Sequence, residues 1–66
     1  MKRPALTERQ QEVLALLVKG HTMSKVAAIL KITPRTVAFH KYRMMSALKI
    51  SSSAELIRYA VKHRIG

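Results

Sequence analysis

A chain of 66 residues with 13 lysines and arginines, three side-chain carboxylates, a net charge of +10 and no cysteine has few ways to be a stable protein. Its length supports one domain with a thin core, and neither disulfides nor a cysteine-held zinc can reinforce it. An apolar content of 48% argues against disorder, while the longest purely apolar run, Val13 to Val18, is far too short to span a bilayer and lacks the flanks of a secretory signal. A cytoplasmic protein is the expectation.

In chain order, Met1 to Ala5 has no periodicity and reads as a tail or linker remnant, leaving 6–66 as the domain. Thr7 followed three residues later by Gln10 predicts a capping box, with Glu8 in the positive first turn of the helix. Val13, Leu14, Leu17 and Val18 form its apolar face, and Gly20 suits a left-handed stop. Thr22 caps a short second helix carrying Val26, Ala27, Ile29 and Leu30. Lys25 stands where a carboxylate would favour the helix dipole, which suggests a use other than stability.

Lys31 to Thr33 leads directly to Pro34, the first position of a third helix that runs to about Leu48. Two helices joined by about three residues must cross sharply, the geometry of a helix-turn-helix. The usual glycine of such a turn is absent, and Ile32 is expected to plug the core from it. Ser52 and Glu55 predict a second capping box and a last helix ending near His63. The expected fold is all-α, a four-helix bundle-like domain containing a helix-turn-helix.

Charge is distributed unevenly. No acidic residue lies between Glu12 and Glu55, while Lys19, Lys25, Lys31, Arg35, Lys41, Arg43 and Lys49 do. A solvated helical surface ordinarily mixes signs, so this segment points to an anionic polymer. Catalytic chemistry has little to work with. His21, His40 and His63 are scattered without carboxylates at ligand spacing, no phosphate-binding glycine loop is present, and neither catalytic residues, a metal nor a cofactor is expected. Met44 is expected in the core with Met45 at its flank, and His40 is expected to be half-buried on the same stripe as Val37 and Met44.

Phe39 and Tyr42 are informative because the third helix's period puts them opposite that stripe, beside Arg35, Ala38 and Ser46. Rings misplaced for a core are well placed for the DNA major groove, where they can pack on thymine methyls and a Tyr hydroxyl can bond to bases or phosphates. Arg35 suits guanine or a phosphate, and Lys41 and Arg43 are expected to lean toward the groove walls. The last helix also carries two apolar stripes. Leu56, Tyr59, Ala60 and His63 are expected to complete the core; Ala54, Ile57, Val61 and Ile65, flanked by Arg58, would face a partner helix in a two-fold dimer.

The segment "LTERQQEVLALLVKGHTMSKVAAILKITPRTVAFHKYRMMSALKI" resembles the LuxR/FixJ-type helix-turn-helix of bacterial transcription regulators. The likeness rests on "LT-R--EVL-L---G" from Leu6 to Gly20, on Ala27 and Leu30, on "I-T--RTV--H" from Ile32 to His40, on Leu48, and on "EL-RYA" from Glu55 to Ala60. It implies a scaffold helix at Met23 to Lys31, a recognition helix at Pro34 to Leu48 and a fourth helix used for dimerisation. Base-reading positions then fall on Ala38, Phe39 and Tyr42, beside Arg35. Phosphate contacts fall on Ser24, Lys25, Thr36, Lys41 and Arg43, with the capping Thr22 and Thr33 at the two helix starts. Dimer contacts fall on Ala54, Ile57, Arg58 and Val61.

The family often has Asn-Lys-Glu where Met23, Ser24 and Lys25 stand, and a polar residue in place of Ala38, so no relative's sequence preference carries over. The function implied is sequence-specific binding of double-stranded DNA by a regulator's effector domain, on paired half-sites. An N-terminal receiver or ligand-sensing domain and RNA polymerase are the other partners it implies, and the likeness implies no membrane partner. A basic RNA- or membrane-surface module is the alternative on charge alone. A sigma-factor-like promoter-reading domain is the alternative on the "ERQ-EVL" opening, although His40 and "AELIRYA" speak against it.

Overall fold

Four helices in the computed structural model follow one another with short links: α1 (Glu8–Val18), α2 (Met23–Leu30), α3 (Pro34–Leu48) and α4 (Ser53–Lys62). The structure describes residues 6–65, and the expected tail, Met1 to Ala5, lies outside them. Helix α1 packs against each of the other three, and α2 packs against α3. Among the described residues the buried side chains form one cluster. Leu6, Val13, Leu14, Val26, Ala27, Val37, Met44, Leu56 and Ala60 are buried, with Leu17, Val18, Leu30, Leu48 and Tyr59 among those partly buried around them.

Every helix starts on a hydroxyl. Thr7 Oγ1 accepts the Gln10 amide at 3.1 Å while the Gln10 side chain accepts the Thr7 amide at 3.0 Å, a complete capping box. Thr22 and Thr33 accept the amides of Lys25 and Thr36, each at 3.1 Å, and Ser52 accepts that of Glu55 at 3.2 Å. The second expected box differs in its return bond. The Glu55 carboxylate accepts the amide of Ser51 at 3.3 Å, one residue before the cap.

The helix ends also repeat one device. After each helix a residue with positive φ turns the chain: Gly20 at 93°, Lys31 at 58°, Lys49 at 56° and Arg64 at 55°. The next residue's amide then bonds back to the carbonyl five residues earlier: His21 to Leu16, Ile32 to Ala27, Ile50 to Met45 and Ile65 to Ala60. This is the Schellman arrangement, which satisfies carbonyls the helix leaves unpaired. At three of the four stops the residue after the turn is an isoleucine that packs on the core. The absent glycine of the helix-turn-helix is thus replaced by Lys31 in a left-handed conformation, with Ile32 as the plug.

Two expectations for the last helix change. His63 does not join the core. Helix α4 ends at Lys62, and His63 is exposed, its ring stacked on that of Tyr59 with centroids 4.2 Å apart. Ile65 does not extend the outer stripe either, because the reversal at Arg64 returns it to the core. No helix among the described residues is long and apolar enough to cross a membrane.

Candidate nucleic-acid interface

Helix α3 is anchored by Val37 and Met44, both without exposed surface, so its opposite side must face out. On that side Arg35, Phe39, Tyr42 and Ser46 are exposed, following one another at three- and four-residue steps. Phe39 is 57% and Tyr42 62% exposed, large values for rings in a molecule with so few. Ala38 is half-buried beside them and His40 is half-buried toward the core.

Cations attend both rings. The Arg43 guanidinium carbon lies 5.5 Å from the centre of the Phe39 ring, and Lys41 Nζ lies 5.9 Å from that of Tyr42. The His40 ring meets Phe39 edge-on, with centroids 5.9 Å apart and planes at 65°. Lys41 itself starts nearer the core than expected. It is half-buried, since its position on the helix falls close to the Val37–Met44 stripe. Its long side chain nonetheless brings the ammonium over the Tyr42 ring.

The starts of α2 and α3 supply the second element of the surface. Free amide groups and a partial positive charge gather at any helix N-terminus. Here the first turns hold no acid to neutralise them. Thr22, Ser24 and Lys25 are exposed at the start of α2. At the start of α3 the hydroxyls of Thr33 and Thr36 lie 2.9 Å apart, with Thr33 exposed and Thr36 half-buried. The carboxylates lie elsewhere: Glu8 and Glu12 on α1, the latter paired with Arg9 at 3.2 Å, and Glu55 on α4. Among the described residues no three metal-capable side chains come together.

The outer side of α4 forms a separate surface. Ala54, Arg58 and Val61 are exposed, Val61 at 64%, and Ile57 is half-buried between them. Two features escaped sequence reasoning. Ile29, counted with the apolar residues of α2, is 43% exposed. The contact of His40 with Phe39 joins adjacent residues, a spacing that carries no periodic signal.

Comparison with known proteins agrees with this architecture. The family described as bacterial regulatory proteins, luxR family, matches residues 4–60. Response regulator UvrY of Escherichia coli (strain K12) is 32% identical over 59 residues, covering 89% of this chain and 27% of UvrY. Transcriptional regulatory protein MctR of Rhizobium johnstonii is 38% identical over 60 residues, covering 91% of this chain and 28% of MctR. Oxygen regulatory protein NreC of Staphylococcus carnosus is 35% identical over 60 residues, with the same two coverages of 91% and 28%. The chain therefore spans under a third of the length of these relatives. With a match covering most of its length and four helices in the expected order, the chain belongs to the luxR family of bacterial regulatory proteins.

Proposed function

We propose that this domain binds duplex DNA sequence-specifically, as the effector part of a bacterial transcriptional regulator acting in the cytoplasm. Helix α3 enters the major groove, where Arg35, Ala38, Phe39 and Tyr42 meet base edges. Thr22, Ser24, Lys25, Thr33, Thr36, Lys41 and Arg43 contact the flanking phosphates. The observation that carries this reading is the outward stripe of α3. It exposes two aromatic rings, each attended by a cation, within a segment free of carboxylates. Apolar rings on a solvated helix are costly unless something covers them, and a base-pair edge between phosphate walls suits both rings and cations. No catalytic step belongs to this reading.

Two finer parts accompany it. The outer side of α4, through Ala54, Ile57, Arg58 and Val61, joins two copies on paired half-sites. The longer relatives, among them a protein named as a response regulator, support an input domain elsewhere in the regulator. RNA polymerase would be a downstream partner in this reading.

Binding measured across a salt series tests the main reading. Log affinity for duplex DNA should fall linearly with log salt, with a slope reflecting roughly four to six neutralised phosphates per protomer. Lys25→Ala and Lys41→Ala should each weaken all sequences similarly. A flat salt response, or tighter binding to RNA or anionic vesicles, overturns it. The dimer is tested by Val61→Glu, which should keep the fold and single half-site binding while abolishing cooperative occupancy of a paired site. Cooperativity surviving that change removes Val61 from the contact.

A further inference from the structure

The fifteen residues of α3 include no Asn, Gln, Asp or Glu. The helix therefore lacks the amides that pair bidentately with adenine and the carboxylates that accept from the cytosine amino group. Its outward stripe offers one guanidinium from Arg35, the hydroxyls of Tyr42 and Ser46, and two rings. In the major groove, what distinguishes thymine for an apolar surface is its C5 methyl. Discrimination by this helix must lean on that group more than a helix with amide readers would.

The ring best placed for it is held on two sides. Arg43, one turn along the helix, lays its guanidinium over Phe39 at 5.5 Å, and the His40 ring contacts Phe39 at 5.9 Å. More than half of the Phe39 surface stays open between these neighbours. A ring fixed before binding gives up less side-chain freedom on contact than a free one. Arg43 thus has a second task besides neutralising a phosphate. Its planar cation attracts the ring's π-face and limits where the ring can point.

We propose that Phe39 reads pyrimidine C5-methyl groups and that Arg43 is the positioning residue for its ring, so the preferred duplex carries thymine at the step Phe39 covers. This rests on the DNA-binding reading above. Burial of one methyl carbon at about 0.8 kcal/mol corresponds to roughly a four-fold change in affinity.

The experiment uses the duplex recovered from a random pool by selection with this protein. Each thymine is replaced in turn by deoxyuridine, which removes the methyl and leaves every hydrogen-bonding group. The protein should bind at least one singly substituted duplex about four-fold more weakly. Phe39→Ala should bind that pair of duplexes equally, and Arg43→Ala should bring the ratio toward one. Arg43→Ala should also lower the salt slope by about one phosphate contact. Circular dichroism of the variants checks that the helices persist, and the thymine scan on the unaltered protein needs no variant.

Indifference to uracil at every position, with salt-dependent binding retained, overturns methyl reading and leaves DNA binding standing. An Arg43→Ala protein that loses affinity for both duplexes while keeping the four-fold ratio overturns the positioning role. Absence of salt-dependent duplex binding removes the DNA-binding reading, and this inference with it.

Discussion

The two sides of α3 share one backbone and obey different demands. Inward, Val37 and Met44 are sealed in the core of a helix that packs on α1 and α2, where shape and volume decide what fits. Outward, Phe39 and Tyr42 are large rings that the protein covers only in part, leaving more than half of each open. The inner side needs its residues for the fold to exist; the outer side keeps residues that the fold alone would not require. The contrast separates, within a single fifteen-residue helix, what stability demands from what the proposed DNA reading would demand.

The largest expected effect falls on the inner side. Met44→Ala should lower the free energy of unfolding by about 2–5 kcal/mol, as deletion of a buried side chain does, and urea or thermal melts read it directly. For a domain this small that is much of its stability. Melting unchanged from the parent protein would collapse the distinction between the two sides.

Next comes the outer side. Phe39→Ala should leave unfolding within about 0.5 kcal/mol of the parent, as for ordinary surface changes. It should cost about 1–3 kcal/mol of affinity for the preferred duplex, with non-specific binding kept. Equal losses in stability and affinity would mean that Phe39 serves the fold after all.

A smaller effect sharpens the comparison from outside the helix. Lys31 and Lys49 flank α3 in left-handed conformations that an L side chain resists and glycine does not. Lys31→Gly should raise thermal stability by no more than about 1 kcal/mol, because glycine also loosens the unfolded chain. A fall in melting temperature would show that the Lys31 stem packs more than its exposed position implies.

Much of this was legible in the sequence, and the reasons differ between elements. Starts were readable because Thr7, Thr22, Thr33 and Ser52 advertise themselves chemically, and each accepts the amide three residues on. The buried stripe of α3 was readable because period fixes direction. Stops were not. Gly20 signalled its own turn, but Lys31, Lys49 and Arg64 take the same left-handed conformation without any glycine signal. What places them there is the following isoleucine, which must reach the core, and that contact is tertiary. Extending the α4 period past the reversal at Arg64 misplaced Ile65 for this reason. His63 keeps its helical spacing from Tyr59 but lies at the exposed end of the helix. Among the candidate site residues, exposure of the α3 rings followed from period, whereas Lys41 illustrates its limit: a long side chain ends far from where its Cα points.

The repeated stop has a kinetic consequence. Since each helix carries its own hydroxyl start and its own reversal, both ends of every helix are specified by residues only a few positions apart. Little loop-closure entropy stands between the unfolded chain and correctly bounded helices, and the links between helices are short. Chains built from such near-neighbour contacts cross their folding barrier in microseconds to milliseconds. The exposed stripe of α3 is thereby re-formed quickly after a transient opening of the domain.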